Sequence, residues 1–147
     1  MKNIKYILFG VLLVAILGVC YAYYEFHRKA KDLSSVKADI EISANDLMNA
    51  YLKNDAAANT FYLNKTIDVK GKVKSVDIDR GFYTVLLGTD VEDNSISCLI
   101  DSTHNEEAKK IQKGNEVTIR GFCTGKIEMD LLQSVDVQLT RCVEAKK

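Results

Sequence analysis

From Tyr6 to Tyr24 nineteen residues pass without a charge (YILFGVLLVAILGVCYAYY). As a helix rising about 1.5 Å per residue such a run is about 28 Å long, close to the roughly 30 Å hydrocarbon core of a bilayer, and it predicts an N-terminal transmembrane helix. Tyr6, Tyr21, Tyr23 and Tyr24 stand at its two ends, where an amphipathic ring keeps its hydroxyl among headgroups. Residues 25–42 are polar and charged without a sustained period, and predict a juxtamembrane linker. At Ser43 the pattern becomes helical. The Ser43 hydroxyl and the Asp46 carboxylate make a capping box, and Leu47, Met48, Tyr51 and Leu52 share one face. Asn54-Asp55 breaks or re-caps this helix, and Ala56, Ala57, Ala58, Phe61 and Tyr62 continue a second short piece. Periodic apolar positions of this kind read as a packing face rather than a cofactor pocket.

The period then drops to two. Ile67, Val69, Gly71 and Val73 alternate with Asp68, Lys70, Lys72 and Lys74, a half-buried strand in which Gly71 permits a bend. Asp79-Arg80-Gly81 predicts a turn, Phe82 to Leu87 a second strand, Gly88 to Ser95 an acidic loop, and Ile96, Cys98 and Ile100 a short third strand. The polar stretch from Ser102 to Lys113 reads as partly helical, closed by Gly114. Glu116 to Thr124 forms a fourth strand with Val117, Ile119, Gly121 and Cys123 on one side and Thr118, Arg120, Phe122 and Thr124 on the other. A last strand runs from about Val135 to Val143. Five short strands, a bend in the first and a helical link between the third and fourth give the order of an OB-fold, a five-stranded Greek-key barrel. The predicted organisation is a mainly β chain: anchor over 1–31, linker over 32–42, and helix plus OB-fold domain over 43–147.

Charge divides the chain further. The 147 residues balance 20 basic against 20 acidic side chains. Residues 1–32 hold five basic and two acidic residues, so the remainder carries a surplus of three acidic ones. Lys2 and Lys5 precede the apolar run and Arg28, Lys29 and Lys31 follow it, a nearly even count that does not set orientation. A basic start before an apolar run also begins a cleaved secretory signal, for which Cys20-Tyr21-Ala22 offers a site. Leu17-Gly18-Val19-Cys20 is similar to a lipoprotein box and makes Cys20 a candidate for lipidation, although Val19 stands where a small residue is wanted. An uncleaved anchor is the expectation, and all three routes bring the rest of the chain to the same membrane.

Candidate chemistry is sparse. Spacings of 25 and 19 residues between Cys98, Cys123 and Cys142 do not suit a compact zinc site. In an OB barrel the fifth strand lies beside the third and the fourth, so Cys142 can meet Cys98 or Cys123 in a disulfide; buried free thiols are the other reading. His104, near Asp101, Glu106 and Glu107, reads as a solvated surface residue, as does His27. Nucleophile motifs, glycine-rich phosphate loops and H-E-x-x-H are absent, and the loop with Asp90, Glu92, Asp93 and Asn94 fails the EF-hand spacing. No catalysis, cofactor or metal is therefore expected. An OB-fold invites single-stranded nucleic acid, for which Lys70, Lys72, Lys74, Arg120 and Phe122 are the candidates, beside Phe82 or Tyr83. The acidic surplus of the soluble part opposes that reading.

The order of several short motifs resembles the bacterial tRNA_anti-like family, also described as OB-fold lipoproteins. They are Asp32-Leu33-x-Ser35-x-Lys37 with Ser43-Ala44; Ala58-Asn59 and Tyr62-Leu63-x-Lys65; Gly71-x-Val73; Lys113-Gly114-x-x-Val117-x-Ile119-x-Gly121-x-Cys123-Thr124-Gly125; and Leu139-x-x-Cys142-Val143. The resemblance spans Leu33 to Val143 and implies an envelope location with the barrel outside the cytoplasm, and no activity. The resulting expectation is a single-pass protein of the bacterial inner membrane whose OB-fold binds another envelope protein, a glycan or a small ligand. By fold analogy the binding surface would be the face of the second and third strands, at Phe82, Tyr83, Ser97 and Leu99. Single-stranded nucleic acid is the alternative ligand.

Overall fold

The computed structural model describes residues 2–26, 32–129 and 134–145, and within the first helix the side chains of Gly10 and 12–26. Two compact units result, 1–31 and 32–147. The first holds α1 (Lys2–Phe26), which covers the whole uncharged run. Its described leucine, valine and isoleucine side chains are all exposed, Leu13 at 50% and Val19 at 69%. Among the residues with described side chains, no helix is long and apolar enough to cross a membrane. His27, Arg28, Lys29 and Lys31, the expected flank of the span, lie outside the described residues.

In the second unit a 3-10 turn (Leu33–Ser35) and β1 (Ile40–Ser43) lead into α2 (Ala44–Lys53) and α3 (Asp55–Tyr62). Ser43 accepts from the Asp46 N–H and donates to its carboxylate, the capping arrangement expected. Asn54 ends α2 and caps α3 through the Ala57 N–H. Leu47, Met48 and Tyr51 turn one face of α2 into the core, where burying side chains of this size contributes about 1.5–3 kcal/mol each. The strands follow as β2 (Thr66–Asp79), β3 (Phe82–Gly88), β4 (Ser95–Ile100), β5 (Glu116–Met129) and β6 (Ser134–Glu144), with a 3-10 turn (Ser102–His104) and α4 (Asn105–Ala108) between β4 and β5. Pairing runs β2–β3–β4–β6–β5 and returns from β5 to β2, so these strands close into a ring with an OB-like order. The link from β4 to β6 is parallel and the rest are antiparallel.

One long strand makes closure possible. The first half of β2 pairs with β5 from Thr66↔Phe122 to Lys72↔Glu116, and the second half pairs with β3 from Val73↔Leu87 to Asp79↔Phe82. The changeover falls at Gly71 and at a register shift between Val73 and Ser75. Here glycine is required by close approach: a Cβ on Gly71 would sit 2.9 Å from that of Ala44 and 3.3 Å from that of Leu87. The hairpin tip is equally specified, since Arg80 and Gly81 have φ of 49° and 86°, the positive values a two-residue hairpin turn demands.

Two expectations change. Part of the expected linker is built into the fold: Leu33 is buried, and β1 adds a sixth strand in parallel with β2 from Ile40↔Ile67 to Ser43↔Lys70. Two apolar residues in a charged stretch were too few to show a period, and their partner strand lies 27 residues away. The fourth strand also runs past Thr124 to Met129, because Gly125, at a φ of 107°, lets the chain continue against β6.

Candidate functional site

Alternation along β2 decides which side chains face outward. Ile67, Val69 and Val73 are buried, while Lys70 and Lys72 are exposed and Lys74, at the bulge, is half-buried. A cavity of about 750 Å³ opens over this lysine row. Its floor is Lys70–Lys74 with Gly88; its walls are Ser43–Asn45 at the start of α2, Thr89-Asp90 after β3, and Lys113 and Gly114 before β5 with Glu116 at its start. The turn before β5 is pinned to the floor, because the Val73 N–H donates to the Asn115 carbonyl (2.9 Å) and the Gly114 N–H to that of Val73 (2.8 Å). On the opposite wall Asn45 holds Asp90 twice, accepting from its N–H and donating to its carboxylate.

The groove thus carries four lysines against two carboxylates. Lys70 pairs with Glu116 at 3.3 Å, and Lys74 donates to the Glu92 carbonyl. The Lys72 and Lys113 side chains make no ion pair or hydrogen bond among the described residues. Neighbouring lysines two residues apart on one strand face lie about 7 Å from each other, where like charges repel by roughly 0.6 kcal/mol even in water. The positive end of α2 adds little, since Ser43 and Asp46 already occupy it.

The other lysine-row candidates are engaged elsewhere. Arg120 lies opposite Asp68, donating from Nε and Nη2 to both carboxylate oxygens at 2.7 Å and from Nη1 to the Val36 carbonyl at 2.6 Å. That bidentate hydrogen bonding to Asp68 raises its already high pKa, against the opposing effect of burial. Arg120 therefore ties the segment before β1 to the ring and leaves little donor capacity for a phosphate. Phe122 is covered by the Arg141 guanidinium, 5.0 Å from its ring centre.

The strand face expected by fold analogy divides. Phe82, Ser97 and Leu99 point outward, with Phe82 52% exposed, but Tyr83 packs against the core in phase with Val85 and Leu87. Opposite Phe82 and Thr84 stand Asp79 and Asp77, so this surface is apolar and acidic. His104 also departs from expectation. Instead of standing in solvent, it is half-buried between Asp32 Oδ1 and Glu107 Oε2, both 3.1 Å away. Burial works against its imidazolium, but the two carboxylates outweigh burial and raise its pKa. Asp32 is lowered by the Ser34 backbone and side-chain hydrogen bonds, with a further contribution from His104.

Cys98, Cys123 and Cys142 are buried free thiols. Burial, then the neighbouring Cys98 thiol, pushes the Cys142 pKa up, and the Cys98 thiol itself donates to the Ile96 carbonyl at 3.8 Å. Cys123 instead meets the Tyr51 hydroxyl at 3.5 Å, which, after burial, raises the tyrosine. Cys20 is exposed on α1. Lys113, Asn45 and Asp90 were not singled out as site residues from sequence. The sequence reads Gly114 as the close of a helical stretch, but α4 ends at Ala108 and Gly114 stands in a turn that the pairing of β2 with β5 brings over the lysine row.

A closed ring of five strands with a helix packed against it defines an OB-like fold. The sequence pattern of the tRNA_anti-like family matches residues 1–135, and the chain belongs to that family. No curated protein matches the sequence. Among solved structures, a "putative nucleic acid-binding lipoprotein" from Klebsiella pneumoniae is similar over 80% of this chain and 100% of its own, with a TM-score of 0.58 and 16% identity, a likeness of fold. Weaker similarity reaches the asparaginyl-tRNA synthetase of Pyrococcus horikoshii (TM-score 0.41, 11% identity, 57% of this chain and 20% of that one). It also reaches an OBody bound to hen egg-white lysozyme (TM-score 0.45, 10% identity, 59% of this chain and 87% of that one).

Proposed function

We propose that the chain is a membrane-tethered OB-fold binding module of the bacterial envelope, without catalytic activity, whose ligand site is the lysine groove. The observation that carries this reading is the groove itself, a concavity of about 750 Å³ that gathers Lys70, Lys72, Lys74 and Lys113. The tether rests on α1, 25 residues and so about 37 Å long, over an uncharged run of nineteen. A helix that is apolar all round belongs in a bilayer or a large core, and the exposed side chains of α1 have no such core around them. In this reading the N-terminus lies in the cytoplasm, α1 is retained uncleaved with Cys20 inside the span, and the ring stands outside the inner membrane. Confinement there raises its effective concentration for a neighbouring envelope protein, glycan or small ligand.

Single-stranded nucleic acid is the second reading, favoured by the description of the Klebsiella structure. The row along β2 opposes it. Lys70, Lys72 and Lys74 are bracketed by Asp68 on one side and Asp77 and Asp79 on the other, so the basic stretch extends only about 13 Å at roughly 3.3 Å per residue. Two measurements test the proposal. An impermeant thiol reagent applied to intact spheroplasts labels cysteines introduced as Lys37→Cys and Gln112→Cys; protection of both sinks the periplasmic placement. Titration of the full chain in detergent with single-stranded oligonucleotides gives no saturable binding at moderate salt, and micromolar binding that falls steeply with salt would establish the second reading instead.

A further inference from the structure

The groove also carries information about the size and charge of its occupant. Lys72 lies on the floor strand and Lys113 on the turn pinned to it at Val73, and neither side chain has a partner among the described residues. Lys70 and Lys74 flank them with one carboxylate and one carbonyl as existing partners. The cavity is lined by lysine and not by arginine, so it presents compact ammonium point charges, as lysine phosphate sites do, rather than a planar fork. The carboxylates at either end of the row set its length, and Asp90, held by Asn45, closes the far wall. We propose that this groove binds a compact phosphate-type dianion, a phosphomonoester or pyrophosphate group, seated between Lys72 and Lys113. The group can come from a soluble phosphorylated ligand or from a lipid headgroup; both present the same charge and the same oxygens. The inference rests on the binding-module reading and gives that module a ligand class.

The test uses the full chain in nonionic detergent, with inorganic pyrophosphate as the probe and calorimetric titration at low and moderate salt. Pyrophosphate binds saturably, and Lys72→Gln with Lys113→Gln weakens it tenfold or more. Lys53→Gln, an exposed change at the end of α2, leaves affinity unchanged. The charge-keeping pair Lys72→Arg and Lys113→Arg binds within about threefold of the parent, and the unfolding midpoints of all variants confirm that they are folded. Absence of saturable binding overturns the proposal, and so does a Gln pair that binds as tightly as the parent. A single-stranded oligonucleotide whose affinity exceeds that of pyrophosphate and grows with length overturns the compact ligand. Phosphatidic acid, a lipid phosphomonoester, doped into the micelles distinguishes the sources. Competition with pyrophosphate assigns the phosphate to a lipid, and its absence assigns it to a soluble ligand; each outcome supports the site. If pyrophosphate fails while the labelling result holds, the site falls and the tethered module stands. If labelling fails while pyrophosphate binds, the placement falls and the site stands.

Discussion

Arg120 and Lys72 are both cations on the outward face of neighbouring strands, and their surroundings give them opposite roles. The Asp68 side chain that Arg120 grips is only 7% exposed, so removing the guanidinium strands a nearly buried carboxylate. Arg120→Ala is expected to cost about 3 kcal/mol in urea unfolding, near the lower end for breaking a buried pair, while Lys72→Ala stays within about 0.5 kcal/mol. His104 offers a pH dependence with a definite sign. Its folded pKa is raised, so the stability it contributes is full below its ordinary value of 6.5 and is lost as pH rises through the folded value. Asp32, lowered, contributes above 3.8 and loses that contribution as pH falls through its folded value. The clasp is therefore strongest between those limits. The unfolding midpoint should fall between pH 5.5 and pH 8 in the parent, and His104→Gln should remove that component of the fall. Neither role could be read from residue type: Arg120 meets Asp68 across 52 residues and His104 meets Asp32 across 72.

At the scale of elements, the fold depends on how closely strands approach. A Cβ on Gly121 would lie 2.6 Å from the Cys142 sulfur and 3.0 Å from the Leu139 Cβ, all within the core. Gly121→Ala is expected to destabilise by about 1–3 kcal/mol, as overpacking does. Part of that cost should vanish in a Cys142→Ala background, where the nearer clash is gone; a double-mutant cycle of thermal or urea unfolding measures the coupling. The alternation of β5 and the caps of α2 and α3 were legible because they are local: period two, and a Ser or Asn before a helix. The short β1 was not, because a strand of four residues borrows its pattern from the neighbour it pairs with.

For the whole molecule, the division into two units gives a direct expectation. A chain beginning at Asp32 should stay in solution and unfold with the midpoint of the ring in the full protein, while the full chain should remain with membranes after alkaline extraction. Loss of cooperative unfolding in the shortened chain would show that the ring depends on the segment before it. The sequence by itself determined the apolar N-terminal run, the helix pair, the five main strands and the family, because periodicity, capping and turn chemistry act within a few residues. Only the tertiary structure decided that Cys142 meets Cys98, that Arg120 is a structural clamp, that Tyr83 turns inward, and that Lys113 joins Lys70, Lys72 and Lys74 around one groove. Those outcomes depend on which strands lie side by side and in what register. Ring closure sets that register between segments far apart in the chain, where no local pattern records it.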